Sequence, residues 1–267
     1  MQSRNCSILL IFTLLLPASA LATEFKGAES WGNVKKTLAN KVYFDTKKTF
    51  YCGCDLTFKS NGAGNIEADA CGLPKTLKWV NLRNKIQWEH IVPGSLMPIR
   101  KSACWEKPSS VPACVSPNGT VKAGRKCCEE HSSEGQKMLF DLYNVVPAAA
   151  QLNQYRSDDV YGVVPKDAAY EGFGEQCAAK DLNSGSLFEP PDCKKGDVAR
   201  VWFYMRDTHG VVIPNEMSLM FMRWSDADPV SPSEHVSSER ISKIQGSINS
   251  YVIGKKTAKK GSCSWEE

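Results

Sequence analysis

A chain of 267 residues with 42% apolar side chains can bury a core of its own, which excludes a disordered chain. Its formal charge of +4 is a mild excess that permits an anionic partner without demonstrating one. No apolar run reaches the length of a membrane span, so a soluble chain with no membrane partner is expected.

At the start, Arg4 precedes an apolar run from Cys6 to Leu16, and small residues from Pro17 to Ala22 stand at cleavage spacing. This is the layout of a secretory signal peptide over residues 1–22, cut after Ala20 or Ala22. It leaves one mature domain over residues 23–267, periplasmic or extracellular. Cys6 leaves with the leader, and the ten cysteines from Cys52 to Cys263 remain. An even number in an exported chain points to a disulfide framework of up to five bridges with open pairing. Cys52-Gly53-Cys54 and Cys127-Cys128 lack the spacing of a zinc ribbon.

Trp31, Val34, Leu38 and Val42 recur at helical spacing after a capping Ser30, which predicts a helix from Trp31 to Tyr43. Short strands pinned by bridges around the turn Asn61-Gly62-Ala63-Gly64-Asn65 are expected over 49–82, and a strand over Lys85 to His90. Residues 93–130 show no sustained period but hold four cysteines and the cluster Lys122, Arg125 and Lys126, so they read as a disulfide-tied loop. Ser133 and Gln136 suggest a capping box for a helix through Asn144, broken near Pro147. Helices are also predicted around Val198 to Met205, after Pro214, and after Ser231-Pro232-Ser233-Glu234. Lys255, Lys256, Lys259 and Lys260 read as a solvated basic tail.

Of the four histidines, only His90 has a carboxylate beside it at a strand end. A neutral imidazole can take a proton from water near pH 7, while Glu89 could hold a hard cation such as Mg²⁺. That pair suits metal-assisted hydrolysis, although a buried, hydrogen-bonded histidine explains the dipeptide as well. H-E-x-x-H, G-x-S-x-G and Walker-type loops are absent.

Several blocks in order, Thr49-Phe50-Tyr51-Cys52-Gly53-Cys54, Trp88-Glu89-His90-Ile91-Val92-Pro93, Gly124-Arg125-Lys126-Cys127, Asp141-Leu142-Tyr143-Asn144-Val145-Val146-Pro147, Asn153 with Arg156-Ser157, and Ala199-Arg200-Val201-Trp202-Phe203-Tyr204-Met205, resemble the bacterial endonuclease I family of periplasmic and secreted nucleases. The resemblance implies an α+β fold, mostly helical and disulfide-stapled, with an embedded ββα-metal (His-Me finger) motif. It implies His90 as general base, Arg125 on the scissile phosphate, and Glu89 with the helix residue Asn144 as ligands of one Mg²⁺-like ion, for which Ca²⁺ or Mn²⁺ are alternatives. Lys126, Asn153 and Arg156 would be further substrate contacts. The substrates implied are DNA and RNA, held by phosphate and cut by a monomer to 5′-phosphate products without sequence preference. Tyr143 and Gln151 stand where the family pattern has histidine and glutamate. An inactive nucleic-acid-binding protein of the same fold and a metal-independent ribonuclease are the alternatives.

Overall fold

The computed structural model describes residues 29–182 and 186–266, so the leader reading lies outside the described residues. Helix α1 (Trp31–Thr37) starts where Ser30 Oγ accepts the Asn33 amide at 3.3 Å, and it runs on into a wider turn, Leu38–Val42. Hairpin β1 (Leu56–Phe58) and β2 (Gly64–Ile66) follows as the glycine turn predicts. Gly62 sits at φ 82°, and a Cβ there would come 2.5 Å from the Lys35 backbone, so only glycine lets the turn close on α1.

Strand β3 (Ile86–His90) is the edge on which the site is built. The stretch after it is a chain of short helical turns, including α2 (Ala103–Glu106), and it ends in α3 (Gly124–His131). The expected loop therefore carries Arg125 and Lys126 on a helix. Bridges Cys104–Cys128 and Cys114–Cys127 fasten it, so the adjacent cysteines tie α3 to two different turns. Gly124 brings α3 against α2 so closely that a Cβ would meet the Trp105 carbonyl oxygen at 2.1 Å.

Helix α4 (Ser133–Leu139) is capped by Ser132, whose Oγ accepts from the Gly135 amide at 3.0 Å, and not by Ser133. It ends well before Asn144. Residues Leu142–Asn144 form a single 3-10 turn, and the next segment is strand β4 (Val145–Ala149), antiparallel to β3 with Glu89 opposite Val146 and His90 opposite Val145. The apolar spacing that suggested one long helix belongs to a short helix, a turn and a fully buried strand, patterns that periodicity cannot separate at this length. Helix α5 (Ala150–Arg156) leaves β4 directly.

Strands β5 (Val160–Tyr161), β6 (Tyr170–Gly172), β7 (Lys180–Leu182) and β8 (Leu187–Glu189) form a sheet in the order β5-β8-β7-β6, with β5 and β8 parallel. Helices α6 (Asp192–His209), α7 (Asn215–Ala227) and α8 (Pro232–Gln245) complete a mixed α+β fold. Ser231 caps α8 by accepting from the Glu234 amide at 3.1 Å, with Pro232 at the first position, as its sequence predicts. Trp202, Tyr204 and Met205 of α6 are buried in the core. The C-terminal segment is anchored by Cys193–Cys263 and by the buried ion pair of Glu266 with Lys194, although the lysines before it are largely exposed. Cys52–Cys177 and Cys54–Cys71 make the bridges five, accounting for all ten cysteines of the mature reading. Among the described residues no helix is long and apolar enough to cross a membrane.

Candidate active site

Strand alternation separates the Glu89 and His90 side chains, and each meets a different set of partners. Glu89 is 3% exposed and turns toward α5 and β5. Arg156 Nη1 lies 3.0 Å from Glu89 Oε1, and the Tyr51 hydroxyl donates to the same oxygen at 3.4 Å. Tyr51 and Tyr161 join hydroxyl to hydroxyl beside them. Burial pushes the Glu89 carboxyl up to about 7, against the pull of Arg156 and the Tyr51 hydrogen bond.

His90 turns the other way. Its Nε2 lies 2.8 Å from the Leu139 carbonyl, which can only accept, so the ring proton sits on Nε2. Nδ1 is then the basic nitrogen, and Arg125 Nη2 donates to it at 3.4 Å. Trp31 stacks on the imidazole with centroids 5.1 Å apart and planes 14° apart. Burial, then the Arg125 charge and more weakly that of Arg156, lower the His90 pKa to about 3 against the opposing Leu139 bond, so the ring is neutral at physiological pH.

Glu89, His90, Arg125, Lys126, Asn153 and Arg156 share the walls of one cleft of about 750 Å³. Arg125 comes from α3, where its Nε also donates to Glu129 Oε1 at 2.9 Å. Lys126 is exposed and pairs with Glu130 at 3.1 Å. Asn153 projects from α5 and gives its amide nitrogen to Gln87 Oε1 at 2.7 Å, which turns its carbonyl oxygen away from Gln87.

Two expected site residues sit differently. Asn144 is fully buried and is not on the cleft wall: its Oδ1 accepts the Val92 amide at 2.7 Å, its Nδ2 donates to the Val92 carbonyl at 3.0 Å, and its own carbonyl accepts from Ile91. It clamps the chain leaving β3. Arg156 is 1% exposed and serves as counter-charge to Glu89, while its guanidinium also donates to the His90 carbonyl at 2.8 Å and the Ile91 carbonyl at 2.7 Å. A guanidinium held this way aligns the strand end from beneath.

Sequence reasoning missed Trp31, Trp105 and Glu129 on the cleft wall and Tyr51 beneath it. Trp31 lay in a stripe that read as ordinary core spacing, and nothing in the sequence marked Trp105 or Glu129. The two departures also gain local explanations. The Tyr143 hydroxyl reaches the carbonyls of Ser238 and Ser247 at 3.1 and 3.2 Å, and Gln151 Nε2 donates to the carbonyls of Leu77 and Lys78 at 3.3 and 2.6 Å.

An all-oxygen and imidazole site on a strand end, fed by cations from a disulfide-stapled helix, has the makings of a hydrolase for an anionic ester. The family model described as Endonuclease I matches residues 30–255. Endonuclease-1 of Buchnera aphidicola subsp. Baizongia pistaciae (strain Bp) is 32% identical over 248 residues, covering 91% of this chain and 93% of that protein. A periplasmic deoxyribonuclease of Aeromonas hydrophila is 27% identical over 241 residues, covering 90% and 91% of the two chains. An extracellular deoxyribonuclease of the same organism is 25% identical over 225 residues, covering 84% and 89%. The chain belongs to the endonuclease I family.

Proposed function

We propose that the chain is an exported, divalent-metal-dependent endonuclease that hydrolyses DNA, and RNA as well, without sequence preference. The observation that carries this reading is the contact of His90 Nε2 with the Leu139 carbonyl: it leaves the Nδ1 lone pair facing the Arg125 guanidinium, in the cleft that Glu89 also lines. The names of the Aeromonas hydrophila deoxyribonucleases support DNA as substrate and an exported location. The five bridges fit an oxidising compartment.

We read β3, β4 and α5 as the ββα-metal unit, with the stapled insertion between its strands. Its second oxygen ligand is assigned to Asn153 in place of Asn144, because Asn153 shares the cleft with Glu89 while both amide atoms of Asn144 are committed to Val92. Among the described residues no group of three or more His, Cys, Asp or Glu could hold a metal. One carboxylate and one amide oxygen suit a hard cation of the Mg²⁺ class that keeps most of its waters. Such an ion, when bound, supplies charge neutralisation for a phosphate and for the leaving 3′-oxygen.

The protein's own groups do the rest. His90 Nδ1 takes a proton from the attacking water. Arg125 binds a phosphate oxygen through its planar fork, exchanging Nδ1 of His90 and the Glu129 carboxylate for the substrate. That exchange frees the Nδ1 lone pair of His90 to accept the proton of the water. Lys126 adds an exposed phosphate contact. Arg156 and the Tyr51–Tyr161 pair hold the Glu89 carboxylate in place.

The test is cleavage of supercoiled plasmid and of a structured RNA by the oxidised protein, in Mg²⁺ and in excess chelator, beside a folded His90→Ala variant. Loss of both substrates only for the wild type with metal is expected. Intact plasmid with folding and metal binding verified overturns the DNase reading, and cleavage in chelator overturns the metal requirement.

A further inference from the structure

We propose that residues 75–85 form a second nucleic-acid contact surface, with Trp79 as the side chain that stacks on a base. The proposal rests on the nuclease reading and extends it from the reacting phosphate to the flanking nucleotides.

Three observations carry it. Trp79 has φ 55° and ψ 54°, a left-handed conformation that a bulky residue adopts only under constraint from its surroundings. That backbone turns Trp79 and Val80 outward, 39% and 73% exposed, as neighbouring apolar groups on one loop. Around this tip the sequence is cationic: between Cys71 and Ile86 stand Lys75, Lys78, Arg83 and Lys85, and no acid. Arg83 braces the loop from inside, donating to the Pro74 and Leu73 carbonyls and to Asp69, which also stands 3.9 Å from Lys75. Lys78 and Lys85 are exposed and form no salt bridge among the described residues. An exposed aromatic flanked by lysines is the pairing by which proteins stack bases while holding the phosphate chain.

The loop is seated on the helix that serves the cleft. Gln151 holds the Leu77 and Lys78 carbonyls, the Tyr155 hydroxyl accepts the Lys78 amide at 3.1 Å, and Trp79 meets the Tyr155 ring edge-on at 4.9 Å. One turn of the same helix presents Asn153 and Gln154 to the cleft. Helix α5 thus joins the loop, through Gln151 and Tyr155, to the cleft wall, through Asn153 and Gln154. Gln151 is the fastening: its two carbonyl acceptors require an N–H donor, which the side-chain amide supplies.

The experiment measures binding of a short fluorescein-labelled DNA duplex by anisotropy in excess chelator, with substrate integrity verified, for wild type, Trp79→Ala, Val80→Asp and Lys78→Ala. Trp79→Ala and Val80→Asp are each expected to weaken binding roughly tenfold at wild-type melting temperature. Lys78→Ala is expected to reduce the salt slope by about one. Unchanged affinity in both Trp79→Ala and Val80→Asp overturns the proposal while leaving the nuclease reading intact. Should Trp79→Ala fail to fold, Val80→Asp decides, because its side chain stands in solvent. A wild type that binds no DNA in chelator overturns the second-surface proposal alone, and the plasmid assay in Mg²⁺ decides the nuclease reading separately.

Discussion

Arg156 Nη1 lies 3.0 Å from Glu89 Oε1, with the two side chains 1% and 4% exposed, so the carboxylate at the head of the cleft has its counter-charge beneath it. The same guanidinium holds the carbonyls of His90 and Ile91. One residue thus fixes both the charge state of Glu89 and the backbone that presents His90.

Removing it leaves a buried carboxylate unpaired and two carbonyls unsatisfied. Arg156→Met is therefore expected to lower the unfolding free energy by about 3–5 kcal/mol, measured by urea denaturation with the bridges intact. Adding Glu89→Gln should recover part of that loss, since the stranded charge is gone. A role for Arg156 confined to substrate contact would leave the denaturation midpoint of Arg156→Met where the wild type has it.

The two asparagines separate in the same way. Asn144→Ala orphans the Val92 amide and carbonyl in a site with no exposure, which should cost about 1–3 kcal/mol for each group left unpaired. Asn153→Ala removes a partly buried side chain whose one hydrogen bond among the described residues is to Gln87, so it should melt near the wild type yet lose most turnover and bind Mg²⁺ more weakly by calorimetry. The reverse pattern, a stable Asn144→Ala with lost metal binding, would return the ligand to Asn144.

What the sequence made legible follows the range of the interactions involved. The cap at Ser231, the hairpin at Gly62 and the Glu-His pair at the end of β3 are local, and each carries its signal within a few residues. Asn144 and Arg156 were placed by groups 52 and 65 or more residues away, on Val92 and on the end of β3, and no local pattern encodes that. The sheet β5 to β8 escaped notice because its strands are two or three residues long, too short for alternation to register. Trp31 read as core because, half-buried, it does pack against the core. Its stacking on His90 depends on how α1 meets β3 in three dimensions.

That sheet holds a buried carboxylate with a consequence for stability. Asp181 on β7 is 6% exposed, and its Oδ1, like Oδ2 of Asp159, is buried without a hydrogen-bond partner. Burial first, and the facing Asp159 next, push Asp181 up to about 7. The folded protein therefore holds a proton that the unfolded chain releases near its ordinary value of about 3.9. Stability from this group is complete below the unfolded pKa and is lost as pH rises toward 7. Asp181→Asn supplies an N–H to Asp159 at every pH, so its melting temperature should exceed that of the wild type by a few degrees at pH 8, with the gap closing between about pH 7 and pH 4. Calorimetric scans across that range test it: a gap that stays constant with pH would mean that the proton is not held between Asp181 and Asp159.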